Sequence, residues 1–206
     1  LIQKKVSKNK VRNKIKDKEL LWLLDEIIDS ADGVPIGNYL SQYFGNLYLS
    51  GLDHWAKEQR HCKYYFRYCD DIVILDGNKD NLSNLRKEIS EYLKLELNLT
   101  LKENWQVFPV DIRGIDFLGY RFFHDYTLLR KTTAIRFKKR MKQIKENYKS
   151  LTPINILSGV MSYWGWMKYA NCHRLQGKYI DKKIKDIVKA VCMKNKLHNL
   201  LGIIHG

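Results

Sequence analysis

Tyr64-Tyr65-Phe66-Arg67-Tyr68-Cys69-Asp70-Asp71-Ile72-Val73-Ile74-Leu75 is two runs of strand-forming residues around a pair of adjacent carboxylates. Aromatic residues on one side and β-branched residues on the other favour extended backbone, so the stretch reads as a β-hairpin with Cys69-Asp70-Asp71 at its tip. Neighbouring aspartates repel each other, and a tight turn that keeps both is relieved when a divalent cation neutralises them. Hard carboxylate oxygens suit Mg²⁺. Two such ions about 4 Å apart activate the attacking hydroxyl and stabilise the leaving oxygen in phosphoryl transfer. By itself a Tyr-x-Asp-Asp tetrad is a weak signal, because a solvated turn uses the same residues.

Upstream of the hairpin, residues 17 to 31 place Leu20, Leu23, Leu24, Ile27 and Ile28 on one helical face, with Asp17 as N-cap and Gly33-Val34-Pro35 as the stop. A second helix is expected from Ser41 to about Lys57, burying Phe44, Leu47, Tyr48, Leu52 and Trp55, with Gly45 and Gly51 marking close backbone approach. Downstream, a helix from about Asn81 to Leu95 uses Leu82, Leu85, Ile89, Tyr92 and Leu93. Strand patterns follow from Leu99 through Trp105 to Val110, from Ile115 to Phe123 and from Tyr126 to Arg130. Three helices close the chain, marked by Phe137-Met141-Ile144-Tyr148, by Leu157-Val160-Met161-Trp164-Met167 after Pro153, and by Ile180-Ile184-Ile187-Val188-Val191. The fold class is therefore α+β, an antiparallel sheet with packed helices in residues 1–130, followed by a helical bundle in residues 131–206.

The 206 residues are 45% hydrophobic, which argues against disorder. Lys and Arg number 37 against 22 Asp and Glu, a net charge of +15 that makes a polyanion the natural partner. No apolar run reaches membrane-spanning length, and Leu1-Ile2-Gln3-Lys4-Lys5 carries no signal-peptide core. Cys62, Cys69, Cys172 and Cys192 lack zinc-site spacing and read as reduced thiols packed as small apolar residues, which points to a cytoplasmic protein. The start without Met is expected of a piece that begins partway through a domain.

Four segments give a more specific reading. Gly33-Val34-Pro35-Ile36-Gly37-Asn38-Tyr39-Leu40-Ser41-Gln42, Asn46-Leu47-Tyr48-Leu49, Tyr65-Phe66-Arg67-Tyr68-Cys69-Asp70-Asp71 and Gly114-Ile115-Asp116-Phe117-Leu118-Gly119-Tyr120 occur in the order found in reverse transcriptases. Over residues 15 to 130 the chain resembles these RNA-directed DNA polymerases of prokaryotes. Ser162-Tyr163-Trp164-Gly165-Trp166 resembles an aromatic-glycine stretch in the thumb of the bacterial enzymes. Ser41-Gln42, where retroviral and intron-type enzymes tend to have Ser-Pro, is similar to the enzymes of diversity-generating retroelements.

The resemblance implies a palm in residues 1–130 and a thumb in residues 131–206, with the fingers absent. It implies two Mg²⁺ ions, with Mn²⁺ as alternative, on Asp70 and Asp71, and Tyr68 beside the primer end. Gly37, Asn38, Ser41 and Gln42 would line the nucleotide and template site, and Phe117, Leu118, Gly119 and Tyr120 would form a primer-grip strand. RNA template, DNA primer, dNTPs and a retroelement accessory protein are the implied partners, with no membrane. The family also uses a metal-binding aspartate on an earlier strand, and residues 1 to 16 offer none, so these 206 residues alone are expected to bind nucleic acid without polymerising. Asp25, Asp29 and Asp32 read as solvated positions. Where the family often has a lysine that protonates pyrophosphate, this chain has Asn104. Lys102 points the same way on a strand, and two readings stand for it: proton donor, or surface lysine.

Arg130, Lys131, Arg136, Lys138, Lys139, Arg140, Lys142 and Lys145 form a basic stripe suited to the phosphates of a primer-template duplex, or to solvent alone. Trp164, Trp166 and Tyr169 offer stacking surfaces, with Trp164 assigned to the bundle core by its spacing. Two other functions fit the same residues: a nucleic-acid-binding module without catalysis, and a template-independent, defence-type polymerase on the same palm.

Overall fold

Apolar periodicity and local capping build most of the elements where the sequence puts them. The computed structural model describes residues 4–30 and 40–194, and these form an α+β protein with two small antiparallel sheets. The chain divides into two compact units, Leu1–Phe108 and Pro109–Gly206. The boundary expected between residues 130 and 131 thus lies inside the second unit.

The first unit opens with helix α1 (Lys4–Lys14), in a stretch that the sequence presents only as a basic lead-in. Val11 joins Leu24, Ile28 and Phe44 in a small core, while Lys8 pairs with Asp29 at 2.6 Å and Arg12 pairs with Asp25. Asp25 and Asp29 therefore tie α1 to α2 (Lys18–Asp29) instead of merely facing solvent; Asp32 lies outside the described residues. Helix α2 begins as expected, with the Asp17 carboxylate accepting from the Leu20 amide at 2.7 Å. Only one edge of its apolar face is covered, so Leu24 and Ile28 are buried while Leu20 and Leu23 stay exposed.

Helix α3 (Leu40–His54) runs on into a π-helical turn (Trp55–Gln59). Phe44, Tyr48, Leu52 and Trp55 are buried as their spacing predicts, and the Tyr48 hydroxyl donates to the Leu97 carbonyl at 2.7 Å, so its burial leaves no donor unsatisfied. At Gly51 an added Cβ would sit 2.9 Å from Tyr92 Oη, which is the expected close approach; Gly45 has open space beside it. Strands β1 (Tyr64–Tyr68) and β2 (Asp71–Leu75) pair antiparallel with Tyr65 opposite Ile74, Arg67 opposite Ile72 and Tyr68 opposite Asp71. Helix α4 (Lys79–Leu97) is longer than predicted because Asn78 caps its first turn and Asn98, in a left-handed conformation, ends it. Ile89, Leu93 and Leu97 of α4 pack with Tyr48, Leu52, Trp55 and Tyr65.

Residues 98 to 109 form no strand, contrary to the expectation from Leu99 onward. Leu99 and Leu101 fold back on the α4 core, Lys102-Glu103-Asn104 turns the chain, and Trp105 lies 4.2 Å beneath the Arg86 guanidinium.

The second unit begins with a short helix, α5 (Val110–Arg113), then a three-stranded meander of β3 (Ile115–Phe117), β4 (Tyr120–Phe122) and β5 (Thr127–Leu129) in that order. The single strand expected from Ile115 to Phe123 is instead a hairpin. Leu118 and Gly119 both have positive φ, 51° and 86°, the combination that reverses a chain within two residues. A Cβ at Gly119 would fall 2.4 Å from the Trp166 ring, so glycine is required there by backbone and by space. The bundle comprises α6 (Lys131–Asn147), α7 (Pro153–Met167), α9 (Lys182–Lys194) and a short α8 (His173–Tyr179) that the sequence pattern does not announce. Phe137, Met141, Ile144, Ile156, Val160, Ile184 and Val188 fill its core, and Leu129 with Tyr120 packs into the same cluster. That packing binds the meander to the helices. Trp164 is half-buried against this core, as its spacing predicts, and Cys172 and Cys192 are buried in it; Cys62 is buried in the first unit, whereas Cys69, on a hairpin turn, is exposed and not packed as expected. Among the described residues no helix is long and apolar enough to cross a membrane.

Candidate active-site turn and nucleic-acid face

The hairpin of the first unit closes through a two-residue loop, Cys69-Asp70, with Cys69 in the left-handed region at φ 51°. A non-glycine residue there is strained and persists only when its surroundings hold it. Strand alternation turns Tyr65 and Arg67 inward and leaves Tyr64, Phe66 and Tyr68 exposed on the outer face. Cross-strand partners share a face, so Asp71, opposite Tyr68, stands on that outer face with it.

Asp70 and Asp71 are both exposed, and Lys102 Nζ donates to Asp70 Oδ2 at 2.9 Å. That hydrogen bond, followed by one from the Asp70 backbone, holds the carboxyl below the ordinary carboxylate value, and the same contact raises the Lys102 ammonium. Both side chains are well solvated, so the pair adds little to stability and matters mainly for where the charges sit. The structure thus brings Tyr68, Asp70, Asp71 and Lys102 together. Lys102 arrives from irregular backbone, not from the strand the sequence suggests.

Among the described residues no group of three or more His, Cys, Asp or Glu side chains is placed to hold a metal. Two adjacent carboxylates nevertheless have the donor chemistry of a Mg²⁺ site, since that ion is usually held by one or two carboxylates with water and substrate phosphates completing its shell. Ser41 and Gln42 lie in the first turn of α3, with Gln42 exposed. Gly37 and Asn38 lie outside the described residues.

The sequence assigns no individual role to three residues that surround the turn, Arg67, Asp53 and Asn46. Arg67 Nε and Nη2 donate to the two Asp53 oxygens at 2.7 and 2.5 Å, and Arg67 Nη1 donates to Asn46 Oδ1 at 2.9 Å and to the Cys69 carbonyl at 2.8 Å. Asp53 also accepts from Tyr65 Oη at 2.8 Å. Burial pushes the Asp53 carboxyl up, but the hydrogen bonds from Arg67 and Tyr65 and the Arg67 charge outweigh it and leave it below its ordinary value. An available signal was the position of Arg67 on the inward side of an alternating strand, where a charge requires a partner.

In the second unit, Phe117 and Tyr120 are the paired ends of the β3–β4 hairpin and Leu118-Gly119 its tip, not successive positions on one strand. Tyr120 Oη donates to the Trp166 carbonyl at 3.1 Å. The basic stripe divides into two kinds of residue. Arg130 is held by Asp116 at 2.5 Å, Arg140 packs beside Gly159 of α7, Lys138 lies over the Tyr179 ring and Lys145 pairs with Asp181. Arg136, Lys139 and Lys142, three residues apart, are exposed on the side of α6 away from Phe137, Met141 and Ile144, with Lys142 in a solvated pair with Glu146 at 3.7 Å. Lys131 and Lys138 of the stripe are exposed as well, and Arg130 remains partly exposed in its pair with Asp116. No protein-family model matches the sequence, and no curated protein matches it.

Proposed function

We propose that this chain is the palm and thumb portion of an RNA-directed DNA polymerase, extending a primer 3′ end with dNTPs. The observation that carries the reading is the Tyr68-Cys69-Asp70-Asp71 turn: two exposed carboxylates at the tip of a hairpin, one contacted by a lysine from a distant segment. The order of the four reverse-transcriptase-like segments along the chain supports it.

Asp70 and Asp71 would hold Mg²⁺, which when bound supplies Lewis acidity toward the primer hydroxyl and charge neutralisation at the triphosphate. Each of the chain's own groups has a defined task. Asp71, on the outer face beside Tyr68, offers its carboxylate where an aromatic ring can pack against the terminal sugar or base. Lys102 neutralises Asp70 and, released from it, presents an ammonium donor to a phosphate oxygen. Gln42 provides an exposed amide able to donate and accept at a nucleotide edge. Arg136, Lys139 and Lys142 provide a cationic face for duplex phosphates.

Primer extension by the full protein on an RNA template, with Mg²⁺ and all four dNTPs, tests the assignment. Template-directed products that disappear in the Asp70→Asn/Asp71→Asn double variant support it. Synthesis independent of added template would favour the defence-type polymerase, and tight binding without synthesis the non-catalytic module.

A further inference from the structure

We propose that Arg67, clamped by Asp53, is a positioning residue that fixes the Cys69-Asp70 turn and with it the direction of both carboxylates. The inference rests on the polymerase reading only for what the turn does. The geometry of the clamp is independent of it. The guanidinium spends its fork on Asp53 and turns its remaining Nη1 toward two acceptors, Asn46 Oδ1 and the Cys69 carbonyl. Asp53 and Asn46 lie seven residues apart on α3, hence on one face of that helix, so Arg67 joins α3 to the tip of the hairpin.

Three further observations make this more than a surface contact. The Arg67 side chain is only 10% exposed and the Asp53 side chain 31%, so the pair is partly shielded from solvent. Tyr65, two residues earlier on the same inward face, donates to the same Asp53 carboxylate and fixes its orientation. Finally, the carbonyl that Arg67 holds belongs to Cys69, whose left-handed backbone needs an external constraint. Only a planar, multi-donor group reaches Asp53, Asn46 and Cys69 at once; a lysine ammonium cannot reproduce the fork. Without the clamp, the β1–β2 ladder still forms, but the tip is free to relax. A displacement of about 1 Å at the carboxylates costs on the order of a hundredfold in turnover.

Asp53→Asn and Asn46→Ala are the appropriate variants, because both alter the clamp from α3 and leave the hairpin sequence intact. In the ¹⁵N-labelled protein, the Cys69, Asp70 and Asp71 amide resonances should shift in both variants while those of Ile89 and Leu93 in α4 overlay the wild type. In primer extension by the full protein, Asp53→Asn should lower kcat by about a hundredfold with KM for dNTP little changed. Turn resonances that overlay the wild type in folded Asn46→Ala and Asp53→Asn would overturn the clamp, whatever the activity. If Asp53→Asn fails to fold, the Asn46→Ala spectrum alone decides. Shifted turn resonances in a protein whose wild type extends no primer would leave the clamp standing and remove the polymerase reading.

Discussion

Lys102 Nζ lies 2.9 Å from Asp70 Oδ2 although the two residues are 32 positions apart. The contact joins an irregular segment to the tip of a hairpin, and it distinguishes two roles for the lysine. If Lys102 supplies a proton or a positive charge during incorporation, Lys102→Ala slows single-nucleotide incorporation at saturating dNTP by about a hundredfold, within the range of general acid contributions. Its melting temperature stays close to the wild type, since an exposed pair contributes little. Rapid-quench incorporation checks this, and an unchanged rate would make Lys102 a surface lysine.

The exposed face of α6 leads to a prediction about salt. Replacing Arg136, Lys139 and Lys142 with Gln should weaken binding to an RNA–DNA hybrid and reduce the slope of log affinity against log salt by about 0.7 to 0.9 per lost phosphate contact. Stability should change by less than about 0.5 kcal/mol per site, because the apolar face of Phe137, Met141 and Ile144 is untouched. Arg140→Gln should instead alter stability, since its guanidinium packs beside Gly159. Fluorescence anisotropy at several salt concentrations reads the first effect and thermal melting the second; an unchanged slope in the triple variant would leave the face as a solvated one.

Gly119 and Trp166 make a test of the second unit. Gly119→Ala forces a side chain onto a positive φ and into the indole ring, so it should destabilise the protein by about 1–3 kcal/mol. In a Trp166→Ala background the steric part disappears and only the backbone part remains. Urea unfolding of the two single variants and the double variant measures the difference. Strict additivity would show that the ring does not confine the turn.

Much of this arrangement is legible in the sequence because it rests on local signals. The Asp17 cap, the Phe44-Tyr48-Leu52 spacing and the alternation around Cys69-Asp70-Asp71 each follow from nearest neighbours along the chain. What escapes is set by tertiary context. Leu99 to Pro109 has strand composition but joins neither sheet among the described residues, and its backbone is irregular. Ile115 to Phe123 looks like one strand because nothing in Phe117-Leu118-Gly119-Tyr120 reveals that Trp166 presses against the glycine. Helix α1 is lysine-rich and shows little periodicity, and its docking depends on Val11 and on the acidic residues of α2. Arg67 was visible as a charge on an inward strand position, but its partners Asp53 and Asn46 were not.

The Asp53 carboxylate predicts a pH dependence with a defined sign. Its folded value lies below the ordinary one, so its contribution to stability is complete above the unfolded carboxylate value of about 4 and is lost as pH falls through the lower folded value. The unfolding free energy of the wild type should therefore exceed that of Asp53→Asn by a constant amount from pH 7 to about 5, and the gap should narrow below about pH 4. Urea titrations from pH 7 to pH 3 check this. A gap that widens on acidification would contradict the clamped carboxylate.

The most direct measurement compares primer extension and primer-template binding in the wild type and in Asp70→Asn, using the full protein, a labelled primer on an RNA template, and Mg²⁺. The account predicts that extension by Asp70→Asn falls to background while its affinity for the primer-template stays within about threefold of the wild type, because binding rests on cations elsewhere and a change below about 0.7 kcal/mol is small on that scale. Near-normal extension by Asp70→Asn would contradict the assignment of the hairpin tip as the catalytic centre.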